Sequence, residues 1–278
     1  MQHDFPAAFS ERLRSELGKE EATQLLLSLA QTSPSVSRHW NPAKNPPASF
    51  AAPVPWYAQG EYLEQRPVFT LDPAFQAGAY YVQEAASMFI AWMAKRWLPA
   101  ERPWRVLDLC AAPGGKSCLL AAAAPPGSLL VSNEVIKSRY PILRYNLSKW
   151  GLDHCYTANL DPERFTGLTG FFDLVLVDAP CSGEGLFRKD PAARQLWNPA
   201  LVELCAARQS RILSAAHPLV KPNGLLIYST CTFNSLENEA QATVLSELGF
   251  ELLPALAPQR GSLGNLSWAT VLPASGSR

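Results

Sequence analysis

Apolar residues near the N-terminus recur at intervals of four, at Phe9, Leu13 and Leu17, until Gly18 interrupts them, and a second run begins near Glu20. The spacing predicts two short helices within about the first 30 residues. Between Pro34 and Pro55 stand six prolines with several Asn and Ser, a density that excludes long regular elements and predicts an ordered connector or recognition strip. From Tyr81 to Leu98 the apolar pattern takes a helical period again, and Pro99 stops it.

A different rhythm follows. Apolar runs at 105–109, 129–133, 173–177 and 225–229 alternate with helical stretches at 116–124, 137–150 and 199–216, and a further strand is expected around Cys155 to Leu160. Strands that are nearly all apolar, separated by helices, predict a parallel, doubly wound α/β sheet covered on both faces. A boundary near residue 65 divides this region from the N-terminal part, expected as a small, mainly helical domain over 1–64. The α/β domain is expected over 65–258, with an irregular tail over 259–278 rich in Pro, Gly, Ser and Ala.

Composition changes this picture little. At 278 residues with 47% hydrophobic content the chain can bury a substantial core. Lys plus Arg equal Asp plus Glu at 24 each, so no global positive field argues for nucleic acid, although the sum is blind to a local basic strip. The start MQHDFPAAF lacks a signal-peptide pattern, and no apolar stretch approaches the roughly 20 residues that span a bilayer. A cytoplasmic protein without membrane partner is the expectation. The six cysteines are dispersed, with no Cys-x-x-Cys pair, which predicts reduced thiols and no metal site.

Candidate chemistry gathers at the strand ends. Cys181 in DAPCSGEG and Cys231 in STCTFNSLENE each follow an apolar strand, where open α/β sheets place ligands and where a thiol finds polar neighbours. The segment DLCAAPGGKS (108–117) follows the first strand and enters a helix, with Gly114 and Gly115 permitting close backbone approach. A phosphate loop would need glycine at position 110, which is Cys, and the G-x-G-x-x-G dinucleotide pattern is absent. An S-adenosylmethionine site fits better: Glu134 ends the second strand, where a carboxylate can accept both ribose hydroxyls, Asp161 follows the third near an adenine edge, and Asp178 ends the fourth. For Asp161, before Pro162, a helix-capping role weighs equally.

The ordered set GAYYVQEAASM (78–88), DLCAAPGGKS, SNE (132–134), DAPCSGEGLFRKDP (178–191) and STCTFNSLENE resembles the Sun family of RNA cytosine-C5 methyltransferases, and within it the bacterial branch acting on small-subunit ribosomal RNA. The resemblance covers roughly residues 5 to 253. It implies a Rossmann-like methyltransferase sheet, S-adenosylmethionine as cofactor and RNA, above all ribosomal RNA, as partner, in a monomer. Carried over by motif, Cys110, Ala111, Ala112, Pro113, Gly114, Gly115 and Lys116 cradle the cofactor, Glu134 holds its ribose, Asp161 lies by the adenine with Asn159 as a weaker candidate, and Asp178 faces the reacting centre.

Carbon 5 of cytosine is a poor nucleophile until a thiolate adds at carbon 6 and an acid stands near nitrogen 3. The resemblance assigns the attack to Cys231 and enzyme release to Cys181; the residues alone leave that order open, because cytosine-C5 DNA methyltransferases attack with a Pro-Cys cysteine. Asp178 is the candidate proton donor, and Lys116 a source of positive charge that activates Cys231. Cys118 and Cys205 read as small hydrophobes on helices.

Arg188 and Lys189 are the candidate phosphate contacts beside the target base, and Arg38, Lys44, Trp40, Trp56 and Tyr57 could extend an RNA groove. Tyr81, Gln83 and Glu84 are expected before the helix packed against the cofactor. Family catalytic domains end in a further strand pair that 259–278 does not match, so the sheet is expected to lack its last two strands, leaving the fifth as an open edge. A non-catalytic RNA-binding remnant, or an enzyme acting on transfer RNA, are the alternatives to the ribosomal reading, with DNA methylation a further rival.

Overall fold

The computed structural model describes residues 5–31, 34–253 and 269–273. Two helices open the chain, α1 (Ala7–Leu17) and α2 (Lys19–Gln31), with Gly18 between them at a positive φ of 81°. Strands β1 (Val36–Trp40), β2 (Pro53–Val54) and β3 (Tyr57–Leu63) follow, then the single-turn helix α3 (Pro73–Gln76), β4 (Tyr80–Val82) and helix α4 (Ala85–Trp97). The four strands form an antiparallel sheet in the order β2-β3-β1-β4.

This small sheet was not legible in the proline-rich strip. Its strands are short, and β1 gains its partners from Tyr57–Leu63 on one side and Tyr80–Val82 on the other, with Trp40 opposite Tyr80. Tyr80–Val82 therefore pairs as a strand where a helix start was expected, and α4 begins three residues later. The helical N-terminal part is present, and the sheet beside it takes its fourth strand from beyond residue 64.

The second sheet contains β5 (Arg105–Asp108), β6 (Leu129–Asn133), β7 (Cys155–Ala158), β8 (Phe172–Asp178) and β9 (Val220–Ser229), all parallel in the order β9-β8-β5-β6-β7. Helices α5 (Gly115–Ala123), α6 (Tyr140–Trp150), α7 (Pro191–Leu196), α8 (Pro199–Ala216) and α9 (Glu239–Glu247) connect or follow them. The α/β class expected from the alternation is thus the observed one. Successive strand residues supply opposite cores: Val106, Leu174, Leu176, Leu225 and Ile227 pack with α4 and α5, while Leu107, Val175, Val177, Leu226 and Tyr228 pack against Ile212 and Leu213 of α8 and Leu245 of α9.

One expectation is overturned. Strand β10 (Ala269–Pro273) pairs antiparallel with β9, Ala269 opposite Ser229, so the fifth parallel strand is covered on the side expected to be open. A five-residue edge strand carries little periodicity of its own, and pairing supplies what the pattern lacked. The rest of the expected tail lies outside the described residues.

Sheet order reverses at β5. The chain runs from β5 outward through β6 to β7, then crosses back so that β8 lies on the other side of β5. The crevice beyond the strand ends at such a switch point is open because adjacent connections diverge to opposite faces. The loops after β5, β8 and β9 all reach it.

Candidate active site

The loop after β5 is fastened before it turns. Ala111 N–H donates to Asn133 O at 2.7 Å, and Asn133 Nδ2 donates to Leu109 O at 3.2 Å. Gly114 then takes φ of 110°, a conformation closed to most side chains, and its missing Cβ would stand 3.3 Å from Leu143. At Gly115 a Cβ would come within 2.8 Å of the Tyr81 ring and 3.4 Å of Gln83, so those two residues form the back wall of the loop. The N-terminus of α5 follows directly, carrying Lys116 toward the strand ends.

Glu134, beyond β6, is buried; its Oε1 accepts from Ile136 N–H at 2.8 Å and its Oε2 lies 3.4 Å from Arg139. Arg139 also donates to Ala112 O at 2.6 Å, tying this carboxylate to the glycine loop, a link the sequence did not announce. Exposed Val135, Ile136 and Leu160 present apolar faces beside it, while Asn159 Nδ2 is spent on the carbonyls of Glu134 and Val135. A carboxylate, a helix N-terminus and flanking apolar side chains form a donor set that fits a nucleoside carrying a charged amino-acid arm. Asp161 takes the capping role weighed for it: its Oδ1 accepts from Glu163 N–H at 3.1 Å, and the carboxylate pairs with Arg211.

At β8 and β9 the two candidate thiols meet. The Sγ atoms of Cys181 and Cys231 are 3.2 Å apart, and Cys231 N–H points at Cys181 Sγ at 3.4 Å. Cys231 is exposed and Cys181 partly buried. The hydrogen bond from Cys181 draws the Cys231 thiol below the ordinary cysteine range; the Lys116 charge acts in the same direction, while burial, Asp178 and Glu84 oppose it. The same bond, with burial, pushes Cys181 well up. The contact therefore favours ionisation at Cys231 over ionisation at Cys181.

Lys116 Nζ lies 2.7 Å from Asp178 Oδ2, and Ser229 Oγ donates to Asp178 Oδ1 at 2.8 Å. Burial disfavours the Lys116 charge, yet Asp178, Asp108 and Cys231 together hold its pKa above the usual lysine value. Behind it, burial raises Asp108 to about 7, with Asp178 adding to the shift and the Ser117 hydroxyl, which donates to Asp108 Oδ2 at 2.6 Å, opposing it. The other cysteines are inert by burial: Cys110 and Cys118 are pushed well up, Cys155 up to about 11, and Cys205 up.

The basic residues divide. Arg188 donates to Ser28 Oγ of α2 at 2.8 Å, and Lys189 forms an ion pair with Glu84 at the entrance. Arg38 is stacked over Trp40 and Tyr80 and bound to Glu61; Lys44 donates to the carbonyls of Ala77 and Lys149; Trp56 donates to Ala85 O and, like Tyr57, is buried. Arg38 and Trp40 thus help hold the small sheet together, and Lys44 ties the segment after β1 to Ala77 and Lys149.

Sequence reasoning missed a buried polar cluster next to the thiols, formed by Ser182, Glu184, Thr232, Asn234 and Glu237. The available signal was the polar run that follows Cys231, dense in hydrogen-bonding side chains yet leading into a helix that packs on the core.

Comparison with known proteins places the chain beside methyltransferases. A model of the 16S rRNA methyltransferase RsmB/F family matches residues 96–273, and one of the N-terminal domain of 16S rRNA methyltransferase RsmF matches residues 5–85. The ribosomal RNA small subunit methyltransferase F of a Salmonella paratyphi B strain is 34% identical over 87% of the chain, covering 53% of that protein. Its namesake from an Escherichia coli strain is 37% identical over 70% of the chain, covering 41%. The chain spans about half the length of these relatives. A methyltransferase homologue from Pyrococcus horikoshii shares the fold, with a TM-score of 0.77 at 23% identity over 97% of this chain and 95% of its own.

Proposed function

The chain belongs to the RsmB/F family of 16S rRNA methyltransferases, and from that premise we propose that it methylates carbon 5 of a cytosine in ribosomal RNA through a covalent Cys231 intermediate. The observation that carries this reading is the polarised thiol contact of 3.2 Å, set at the same strand ends as the Lys116–Asp178 pair. S-adenosylmethionine, held by the Cys110–Lys116 loop and Glu134 with Val135, Ile136 and Leu160 against its base, supplies an electrophilic methyl group when bound.

The chain's own residues perform the remaining work. Cys231 Sγ adds to carbon 6 of the flipped base, and the Lys116–Asp178 pair delivers a proton to nitrogen 3, leaving carbon 5 electron-rich. After methylation Cys181, no longer bonded to a thiolate while Cys231 is attached to the ring, gives its own proton to water and as thiolate takes the proton from carbon 5; the electron pair of that C–H bond re-forms the 5,6 double bond and expels the Cys231 thiolate. Lys189, paired with Glu84 at the entrance, and Arg188, bonded to Ser28, are assigned to the RNA backbone.

Methyl transfer to a small-subunit rRNA fragment tests the assignment. Cys231→Ala abolishes both transfer and adduct, whereas Cys181→Ala leaves protein covalently held on RNA in denaturing gels. An adduct with Cys231→Ala would reverse the roles, and transfer only to DNA or transfer RNA would overturn the substrate.

A further inference from the structure

The two thiols sit on separate loops, one after β8 and one after β9, and nothing covalent sets their separation. Their neighbours in sequence do. Ser182 follows Cys181, Thr232 follows Cys231, and their hydroxyls are 3.0 Å apart in the interior. Glu237, fully buried, receives four donors at this junction: Ser182 N–H at 2.9 Å, the Ser182 hydroxyl, Asn234 Nδ2 at 2.7 Å and Gln209 Nε2 at 2.8 Å. Asn234 Nδ2 also reaches Thr232 Oγ1 at 2.8 Å. On the other side, Gly185 N–H donates to Cys231 O at 2.7 Å.

A second carboxylate closes the arrangement. Glu184, also fully buried, accepts from Phe233 N–H at 2.9 Å, Asn234 Nδ2 at 3.2 Å, Trp197 Nε1 at 3.1 Å and the Arg12 guanidinium at 2.7 Å. Arg12 belongs to α1, so the first helix of the chain reaches the loop that carries Cys231 through one carboxylate.

Glu184 is matched by a cation, as a buried carboxylate usually must be. Glu237 is not: among the described residues its side-chain partners are all neutral. An acceptor-only group with two oxygens satisfies four converging donors, whereas an amide would turn its own N–H groups against them. A carboxylate is therefore the side chain this junction requires, and it binds Ser182 by both backbone and hydroxyl, which places Cys181 rather than merely filling space.

Resting on the functional reading above, we propose that Glu237 is a positioning residue for catalysis, clamping the Pro-Cys and Thr-Cys loops so that the Cys181 and Cys231 sulfurs stay in contact. Glu184 and Arg12 extend the same clamp to α1. Loosening it separates the thiols, and the Cys231 thiolate loses the donor that stabilises it.

The test uses the full chain without RNA. Cys231 alkylation by iodoacetamide, located by peptide mass analysis, is followed against pH in wild type, Glu237→Gln and Thr232→Val. The clamp requires both variants to move the profile upward, with alkylation near neutral pH slowed about tenfold, the change in thiolate fraction for one pKa unit. Single-turnover methyl transfer falls in parallel, with the KM for S-adenosylmethionine unchanged. Should Glu237→Gln fail to fold, Thr232→Val decides alone, because valine keeps the shape and removes only the hydroxyl. Profiles within twofold of wild type, even with earlier unfolding, would reduce the cluster to a support of the fold and overturn the proposal. A shifted profile in a protein whose wild type transfers no methyl group would uphold the clamp and refute the enzyme assignment instead.

Discussion

Gly185→Ala tests how closely the thiol geometry depends on the approach of the two loops. A Cβ at this position would lie 2.7 Å from the carbonyl oxygen of Cys231, the same oxygen that accepts the Gly185 N–H at 2.7 Å. The atom cannot be accommodated by a side-chain rotation, since the obstacle is backbone. Restoring ordinary contact moves the loops apart by roughly half an ångström, an overpacking strain of about 1–3 kcal/mol, and weakens a hydrogen bond worth about 1 kcal/mol. The larger effect is catalytic: misplacement by about 1 Å can reduce a rate on the order of 100-fold, so a shift of half that predicts a loss of about tenfold or more in single-turnover methyl transfer. Thermal unfolding with and without S-adenosylmethionine separates the two effects, because the cofactor loop after β5 lies apart from the substitution and its stabilisation of the variant is unchanged. Transfer within twofold of wild type would refute the argument that the Gly185–Cys231 contact sets the thiols.

Three further outcomes follow from the charges. Lys116→Met removes a cation that lowers the Cys231 pKa, so the thiolate, present to lower pH in wild type, should require a higher pH in the variant; iodoacetamide rates against pH show the direction. Asp108 has a folded pKa raised to about 7 by burial, so between its unfolded value and about 7 the folded state binds the extra proton, and this contribution to stability is lost as pH rises. Asp108→Asn, neutral throughout, should therefore gain on wild type in urea midpoint between pH 5 and pH 7.5; a constant difference would contradict the shift. Glu134→Gln turns an amide toward Arg139 and should shrink the thermal stabilisation by S-adenosylmethionine, which is about 2.7 kcal/mol at 100 times the dissociation constant; an unchanged shift would remove Glu134 from the cofactor site.

Much of the α/β domain was readable because its strands are buried on both faces and its helices on one, so both write their periods into the chain. Leu129–Asn133 and Pro199–Ala216 appear at the expected bounds. The small sheet escaped because β1 is held by β3 and β4, partners distant in sequence, and so did β10, whose register comes from β9. Arg38 and Trp40 illustrate the same limit: their types suit RNA, yet the pleat of β1 stacks them on Tyr80 and Glu61. Asp161 was balanced between two roles; its capping bond is local, whereas its ion pair with Arg211, 50 residues away in sequence, was not legible.

The sequence by itself determined the alternating strands and helices, the glycine loop, and the presence of two cysteines after apolar strands, since each depends on local period or residue type. Which thiol is the easier to ionise is set only in three dimensions. It depends on a contact between sulfurs 3.2 Å apart and on a lysine that is 115 positions before Cys231 in sequence but faces the same strand ends, and such fields act through space, where the order of residues along the chain carries no distance.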